Sequence, residues 1–268
     1  MFKKEINLIF SSAPEQGAIN KSADGSAFSV VLNSEIGLPD QKQMVAGSAT
    51  LCVSSVSVLN NSPNISANIG NNILTWIAGG TTYNATIPDG LYDVQTLNGT
   101  IGRFLVAEGL DADRITIAGD FATNKIILSV KANTQLDLSG ANSPRGILGF
   151  DSGVYPSSPQ ENAVVVYGDN IAAFDRVQNL RIKTNLIGEG IPTNSRNNGI
   201  IASIPILASP GSRIYYEPIN PTTCSANELM GLSRNTIDFQ LLDQLDRPAS
   251  TLTEFYEFTV KISYMVWA

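Results

Sequence analysis

Hydrophobic and polar residues alternate in several segments near both ends of the chain, and this pattern predicts β-strands. The clearest run is the last one, where six apolar residues recur at every second position: Tyr256, Phe258, Val260, Ile262, Tyr264 and Val266. The positions between them include Thr259, Lys261 and Ser263. A period of two places one set of side chains on one face of a strand, so this face is expected to pack against a core.

The same alternation predicts further strands on both flanks. One contains Phe28, Val30 and Leu32, and another contains Ile237, Phe239 and Leu241. Because proline cannot donate a ladder hydrogen bond, the strand that contains Pro205 is expected at a sheet edge or at a bulge. The remaining candidates are Thr50–Leu59, Leu180–Ile187, Gly199–Leu207 and Arg213–Glu217.

The segment between Asn60 and about Asn170 has a different pattern, with turn residues separating shorter elements. Asp93 is a candidate N-cap of an amphipathic helix that Gly109 would end. Ser143-Pro144 opens a single helical turn, with Pro144 at its first helical position. Short strands are predicted at Ile73–Ile77, Tyr83–Ile87, Arg114–Ala118 and Lys125–Val130.

These elements predict a mainly β protein. Two strands precede the central segment and five or six follow it, which is enough for one antiparallel jelly-roll sandwich. Residues 1–60 and 171–268 would form the sandwich, and residues 61–170 would form an inserted small α+β subdomain, since a segment of this length is too long for a loop. An alternative is two small jelly rolls in tandem, divided near residue 160.

Composition changes this picture mainly through charge. The chain has 268 residues, with 17 Lys and Arg, 24 Asp and Glu and a net charge of −7. Charged residues make up 15%, compared with about 25% in an average soluble domain. Few positive charges disfavour phosphate contacts, so no sequence-specific nucleic acid is expected. No apolar stretch reaches the roughly 18 residues of a transmembrane helix.

The chain contains no histidine, which removes the imidazole base of the common Ser–His–Asp and Cys–His catalytic sites. Cys52 and Cys224 cannot form a four-cysteine metal site, and both are expected to be reduced thiols. We therefore assign no catalytic, cofactor-binding or metal-binding residue, and predict that the protein is not an enzyme and has no cofactor.

Carboxylates are the remaining candidates for chemistry. A turn before a strand accounts for Asp111, Asp113 and Asp120, because they lack the full set of alternating calcium ligands. A pair of carboxylates can hydrolyse glycosides without histidine, but nothing in the sequence places two of them at the required separation. The available ones are Asp238, Asp243, Glu254 and Glu257.

The order of several segments resembles that of the jelly-roll penton and minor capsid proteins of the double-jelly-roll virus lineage, which includes virophages and Polinton-like elements. The segment Tyr83–Tyr92 leads into the helix of Leu97 and Ile101. The other segments that carry the resemblance are Asn124–Leu128, Leu148-Gly149-Phe150 and Ile237–Asp243 through Tyr264.

This resemblance implies a structural virion protein that forms a homo-oligomer, usually a pentamer, contacts neighbouring capsid proteins and has no enzyme activity. A vertex penton or minor capsid subunit is the favoured interpretation, and the alternative is a facet coat protein with two small jelly rolls. No Arg-Gly-Asp tripeptide is present, so host attachment by this subunit is not implied.

Two further hypotheses concern surfaces. An N-terminal arm, Met1 to about Ser12, is expected to reach a neighbouring subunit or the shell interior, and its deletion would leave the fold intact. A carbohydrate-binding sandwich or adhesin module is the alternative from another functional class, in which exposed aromatic side chains such as Trp76 and Tyr83 would stack on sugars.

Overall fold

The computed structural model describes residues 1–31, 43–175, 177–192, 198–229 and 236–268. Leu32, at the end of a predicted strand, lies outside these residues. By its internal contacts the chain divides into two compact units. Unit 1 combines both ends of the chain, Met1–Ser62 and Val177–Ala268, and unit 2 is the segment Pro63–Arg176.

Antiparallel strands form most of the regular structure. The helices are α1 Val94–Ala107 and α2 Arg145–Leu148, with single 3-10 turns at Pro14–Gln16 and Asn227–Leu229. In chain order the strands are β1 Phe2–Ser11, β2 Ala18–Ile19, β3 Ala27–Val31, β4 Thr50–Leu59, β5 Ile73–Ala78, β6 Thr81–Thr86, β7 Ile115–Asp120, β8 Lys125–Val130, β9 Thr134–Asp137, β10 Val154–Tyr155, β11 Val164–Tyr167, β12 Asn179–Thr184, β13 Ile200–Pro205, β14 Arg213–Tyr216, β15 Cys224–Ser225, β16 Thr236–Asp243 and β17 Glu257–Val266.

Unit 1 is a sandwich of two sheets, and each sheet combines strands from both ends of the chain. The first sheet has the order β1-β17-β4-β14, with β15 also paired to β4, and the second has the order β13-β12-β16-β3-β2. Strand β13, which ends at Pro205, is an edge strand, and its pairing with β12 contains a register shift. The predicted fold class, a mainly β antiparallel jelly-roll sandwich with a small helical component, is confirmed.

An aromatic cluster joins the two sheets of unit 1. Phe10 and Phe258 come from the first sheet, and Phe28 and Phe239 come from the second. The ring centroids of Phe10 and Phe239 lie 4.6 Å apart, and those of Phe239 and Phe258 lie 4.9 Å apart. All four rings are buried. Because large aromatic side chains bury the most apolar area, this cluster is a main source of sandwich stability.

The predicted N-terminal arm is wrong. Residues 2–11 form β1, which pairs with β17 along its whole length, from Phe2 opposite Val266 to Ser11 opposite Glu257. Ile6, Leu8 and Phe10 recur at every second position and point toward the core. The two lysines and the apolar residues, which suggested an arm, are the start of an edge strand that has its own inward-facing side.

Unit 2 has its own core between helix α1 and two small sheets, of order β10-β9-β5-β6 and β11-β8-β7. The carboxylate of Asp93 accepts a hydrogen bond from Thr96 N, and the Thr96 hydroxyl in turn accepts one from Asp93 N, so the predicted N-cap is confirmed as part of a capping box. Gly109 follows the helix with a φ of +74°. The buried side of α1 contains Leu97, Ile101 and Leu105.

Helix α2 starts one residue later than predicted. Pro144 occupies the N-cap position and Arg145 is the first helical residue, and Gly149 ends the single turn in the left-handed conformation at a φ of +74°. Within the described part of the chain, no helix combines the length and the hydropathy needed to span a bilayer.

Candidate functional site

The acidic residues before β7 are engaged in local structure. Lys131 Nζ lies 3.4 Å from a carboxylate oxygen of Asp111 and 2.5 Å from one of Asp113. The hydrogen bond from Lys131 lowers the pKa of Asp113. These carboxylates therefore hold the turn before β7 against the end of β8. In the ranges that the structure describes, no three potential metal ligands converge.

The acidic residues of β16 also bond within unit 1. Asp243 is buried, and its carboxylate accepts hydrogen bonds from the backbone N–H groups of Leu245 and Arg247 and from Arg247 Nε, at 2.8, 3.0 and 2.7 Å. Asp238 accepts a hydrogen bond from the Ser29 hydroxyl at 2.7 Å. Asp243 thus fixes the turn after β16, and Asp238 links β16 to β3.

The two cysteines lie in the sandwich and are both free and buried. Cys224 pairs with Leu51 on β4, next to Cys52. Burial raises the pKa of both thiols. Because the thiolate is the nucleophilic form, a raised pKa makes both cysteines poor nucleophiles at neutral pH.

The proposed sugar platform is not formed, since Trp76 is only 1% exposed. The Trp76 ring lies in the core of unit 2 and stacks on the half-buried Tyr83, with centroids 5.5 Å apart and an interplanar angle of 10°. Strand β5 alternates buried Leu74, Trp76 and Ala78 with more exposed residues, so Trp76 belongs to the inward face. The alternative hypothesis in which Trp76 is an exposed aromatic is therefore wrong.

The outer face of the first sheet in unit 1 is polar. Lys261 of β17 donates to Glu5 of β1 at 2.8 Å, and Lys3 donates to the same carboxylate at 2.6 Å. These contacts, led by the hydrogen bond from Lys261, lower the pKa of Glu5 to about 2. Ion pairs on an exposed surface contribute little to stability. We therefore interpret this face as an ordinary solvated surface.

Strand β1 forms one edge of this sheet, β14 and β15 lie at the other, and no described strand pairs with the outer side of β1. Ser12 N donates to Tyr256 O, so the even-numbered residues of β1 make the ladder bonds to β17. The N–H and C=O groups of the odd-numbered residues therefore point away from β17. Ile9, one of these residues, is 68% exposed. A long edge strand with unpaired backbone groups is a surface on which another chain can pair.

Unit 2 carries a second and more apolar surface on the sheet β11-β8-β7. The side chains that face the core include Ile117, Leu128 and Val166. On the opposite face, Tyr167 lies beside Ile127, which in turn lies beside Ala118. Val165 and Tyr167 are 55% and 57% exposed. Thr116 and Ser129 are polar residues on the same side of the sheet. We call the group of Val165, Tyr167, Ile127 and Ala118 the apolar face of unit 2; apolar side chains grouped in this way are typical of a protein–protein contact.

The hairpin between β7 and β8 ends next to this face and presents Phe121, which is 95% exposed. The Asp120 carboxylate accepts hydrogen bonds from Ala122 N at 3.0 Å and from the Thr123 hydroxyl at 2.6 Å. Asn124 adopts a φ of +56°, which closes the turn. A tight, internally bonded turn therefore holds an apolar ring in solvent.

Sequence reasoning did not predict either surface. Strand β11 consists of Val164, Val165, Val166 and Tyr167, an unbroken apolar run without the alternation used to find strands. Such a run is typical of a strand buried on both faces, whereas here one face is exposed. The feature of the sequence that indicates this strand is the run of β-branched residues between Asn162 and Gly168.

Comparison with known proteins gives similarities at the level of solved structures. No protein-family model and no curated protein matches the chain. The chain is similar to the mavirus penton protein, with 11% identity and a TM-score of 0.43 over 99% of this chain and 100% of that chain. It is also similar to a chain of the Sputnik virophage structure solved by cryo-EM, with 14% identity and a TM-score of 0.39 over 98% and 97% of the two chains.

One of these structures is of a penton protein and the other is of a virophage, the groups to which the sequence resemblance also pointed. Similarities with these identities and TM-scores do not define a function, so a function has to be inferred from the surfaces of the chain itself.

Proposed function

We propose that the protein is a structural virion protein, a vertex penton or minor capsid subunit, that acts by self-assembly and by contact with neighbouring coat proteins. The observation that carries the proposal is the apolar face of unit 2, with the exposed side chains of Val165 and Tyr167, together with the exposed Phe121 on the neighbouring hairpin. Single exposed apolar side chains are ordinary on protein surfaces, whereas several grouped on one side of a sheet are typical of interaction sites.

The free strand edges support the same proposal, most clearly that of β11, because β1 carries the charged residues Lys3, Lys4 and Glu5. Monomeric proteins usually protect an edge strand with charges, prolines or a covering segment. Strand β11 has none of these within Val164–Tyr167, and no described strand covers its free side. Strand β1 leaves a second edge unpaired in unit 1. An assembly with closed symmetry would cover such edges between identical subunits.

The polar groups that might indicate catalysis are used for structure instead. Asp113 is paired with Lys131, and Asp243 bonds to its own turn. In this proposal the protein acts through surfaces that are complementary to those of its neighbours, and not through a reactive group. In this proposal residues 1–60 and 171–268 form the shell wall, residues 61–170 form an inserted subdomain, and the protein is located in the virion.

The experiment that tests this proposal is sedimentation velocity of the purified full-length protein over a wide concentration range. A vertex penton is expected to form a discrete pentamer that dissociates on dilution. A trimer would contradict the vertex assignment and support a facet coat protein. A monomer at every concentration would contradict self-assembly.

A further inference from the structure

The exposed side of helix α1 contains an open groove of about 410 Å³, lined by Asn98, Gly99, Gly102, Arg103, Val106 and Ala112. Val106 is 57% exposed at its border. Arg103 is the only charged residue in this lining, and its guanidinium donates to the Thr100 hydroxyl at 2.9 Å. The groove therefore combines a hydrophobic wall with one fixed positive charge.

Two glycines leave this groove open. Gly102 packs closely on the chain, because a Cβ at this position would lie 3.2 Å from the carbonyl oxygen of Ala112. No close contact requires a glycine at position 99, since a Cβ there would meet no atom within 4 Å. Glycine inside a helix lowers helix stability relative to alanine. The fold of the subunit does not require Gly99, and its effect is to keep the groove free of a side chain.

The hairpin that carries Phe121 lies at the other end of β7. Phe121 directly follows Asp120, the last residue of this strand, whereas Ala112 precedes Ile115, the first residue. A strand of this length spans roughly 20 Å at about 3.3 Å per residue. Phe121 is almost fully exposed, so it does not occupy the groove of its own subunit.

We propose that Phe121 of one copy of this chain inserts into the α1 groove of a second copy. The inference rests on the proposed assembly function and identifies the contact that joins neighbouring subunits. The inserted ring and the groove are different patches at opposite ends of one strand, so we propose that the contact repeats head-to-tail; head-to-tail contacts generate closed rings when the rotation closes.

The charges and ring chemistry of the two surfaces are complementary. The carboxylate of Asp120 stands next to Phe121, and hydrogen bonds from the turn lower its pKa, so it is ionised at neutral pH. On docking, this carboxylate would approach Arg103 of the neighbouring copy. Arginine also interacts favourably with the face of an aromatic ring. The two carboxylates beside Ala112, on Asp111 and Asp113, are already neutralised in part by Lys131.

The area involved shows what this contact would contribute. One aromatic side chain buries about 150–250 Å², while a stable interface needs roughly 1,200–2,000 Å² in total. Phe121 would therefore be the anchor of a larger interface, and Ala118, Ile127 and Tyr167 lie on the apolar face beside it. Anchors of this kind, rigid and central, contribute most of the binding energy in measured interfaces.

The test compares full-length wild type with Phe121→Ala and Gly99→Leu by sedimentation velocity and native mass spectrometry. Each substitution is expected to weaken assembly by at least about 10-fold, the effect typical of removing an interface anchor. Gly99→Ala is the matched control, because it adds only a methyl group and leaves most of the groove open. Tyr215→Ala is the second control, since it removes a 78%-exposed aromatic from unit 1.

A mixing experiment distinguishes this contact from others. Phe121→Ala keeps an intact groove and Gly99→Leu keeps an intact Phe121, so an equimolar mixture is expected to form one-to-one pairs that neither variant forms alone. Thermal unfolding of Phe121→Ala should match that of the wild type, because this side chain is exposed. The Gly99 variants should unfold at the same or a higher temperature, because the position is open and glycine lowers helix stability.

The outcomes separate the two proposals. Loss of assembly in both variants with paired species in the mixture supports the contact. A wild type that assembles together with variants that assemble equally well, or a mixture without pairs, overturns the contact and leaves the assembly function standing. A wild type that stays monomeric overturns both.

Discussion

Replacement of Phe10 by alanine tests whether the N-terminal segment is a structural strand of the sandwich. The Phe10 side chain is 2% exposed, and its ring lies 4.6 Å from that of Phe239 and 5.8 Å from that of Phe258. Truncation of a buried phenylalanine to alanine removes its transfer free energy and leaves a cavity, which together cost about 3–5 kcal/mol. We expect Phe10→Ala to lower the free energy of unfolding of unit 1 by that amount.

The neighbouring residue gives a matched control. Ile9 precedes Phe10 on the same strand and is 68% exposed, so Ile9→Ala should change the free energy of unfolding by no more than about 0.5 kcal/mol. In urea, with a slope of about 2 kcal/mol per molar, the Phe10→Ala transition should shift by roughly 2 M toward lower concentration. The assay is urea denaturation followed by circular dichroism.

Hydrogen exchange with mass spectrometry locates the effect. Peptides from β1 and β17 should lose protection in Phe10→Ala, while peptides from α1 and β8 in unit 2 should keep theirs. Similar small effects for both substitutions would refute the reasoning, because they would mean that residues 2–11 do not pack on β17. A deletion of residues 1–12 that remained fully folded would have the same meaning.

Three further predictions concern single side chains. Asp243→Ala removes a buried acceptor of three hydrogen bonds and should lower the free energy of unfolding by about 1–3 kcal/mol in a urea titration. Leu245→Ala truncates a 62%-exposed side chain in the same turn and should change this free energy by no more than about 0.5 kcal/mol. The pKa of Glu5 is lowered from 4.5 to about 2, so the contribution of Glu5 to stability is present above pH 4.5 and is lost as the pH falls toward 2. An NMR titration of the Glu5 carboxyl group should show a midpoint near pH 2. A midpoint near pH 4.5 would disprove the ion-pair geometry. Gly149→Ala should destabilise unit 2 by more than about 1 kcal/mol, because Gly149 has a φ of +74° and an added Cβ would clash with the carbonyl oxygen of Asn170. The control is Gly146→Ala, which should leave the melting temperature unchanged or raised, because an added Cβ at this position meets no atom within 4 Å.

Period-two alternation identified the strands whose two faces differ. Strand β8 was predicted at Lys125–Val130, which are its observed bounds, because Ile126, Leu128 and Val130 are buried and the residues between them are not. The pairing partners could not be predicted in this way. Strand β4 pairs with β17, more than 190 residues away, since distant pairing depends on core packing and not on local pattern.

Short strands and termini were the elements that pattern reasoning missed. Strand β11 has four residues and no alternation, and β2 has two residues. Strand β1 does alternate from Ile6 to Phe10, but its first four residues are polar or exposed, which gave the appearance of an arm. The boundaries of the helix were predicted closely, because Asp93 and Gly109 act through local hydrogen bonds and backbone conformation.

The candidate surfaces could not be predicted from sequence, because exposure of an apolar residue depends on what the fold leaves uncovered. Phe121 is an ordinary hydrophobic residue in the sequence, and only the turn between β7 and β8 shows that its ring faces solvent. Trp76 shows the reverse case, since a residue considered for an exposed platform is part of the core of unit 2.

Electron microscopy of the full-length protein at high concentration decides whether the subunits assemble into a ring. We expect class averages of closed rings with five-fold symmetry, in which the exposed apolar face and strand edges are covered by neighbouring subunits. Class averages that show only single subunits would contradict this expectation.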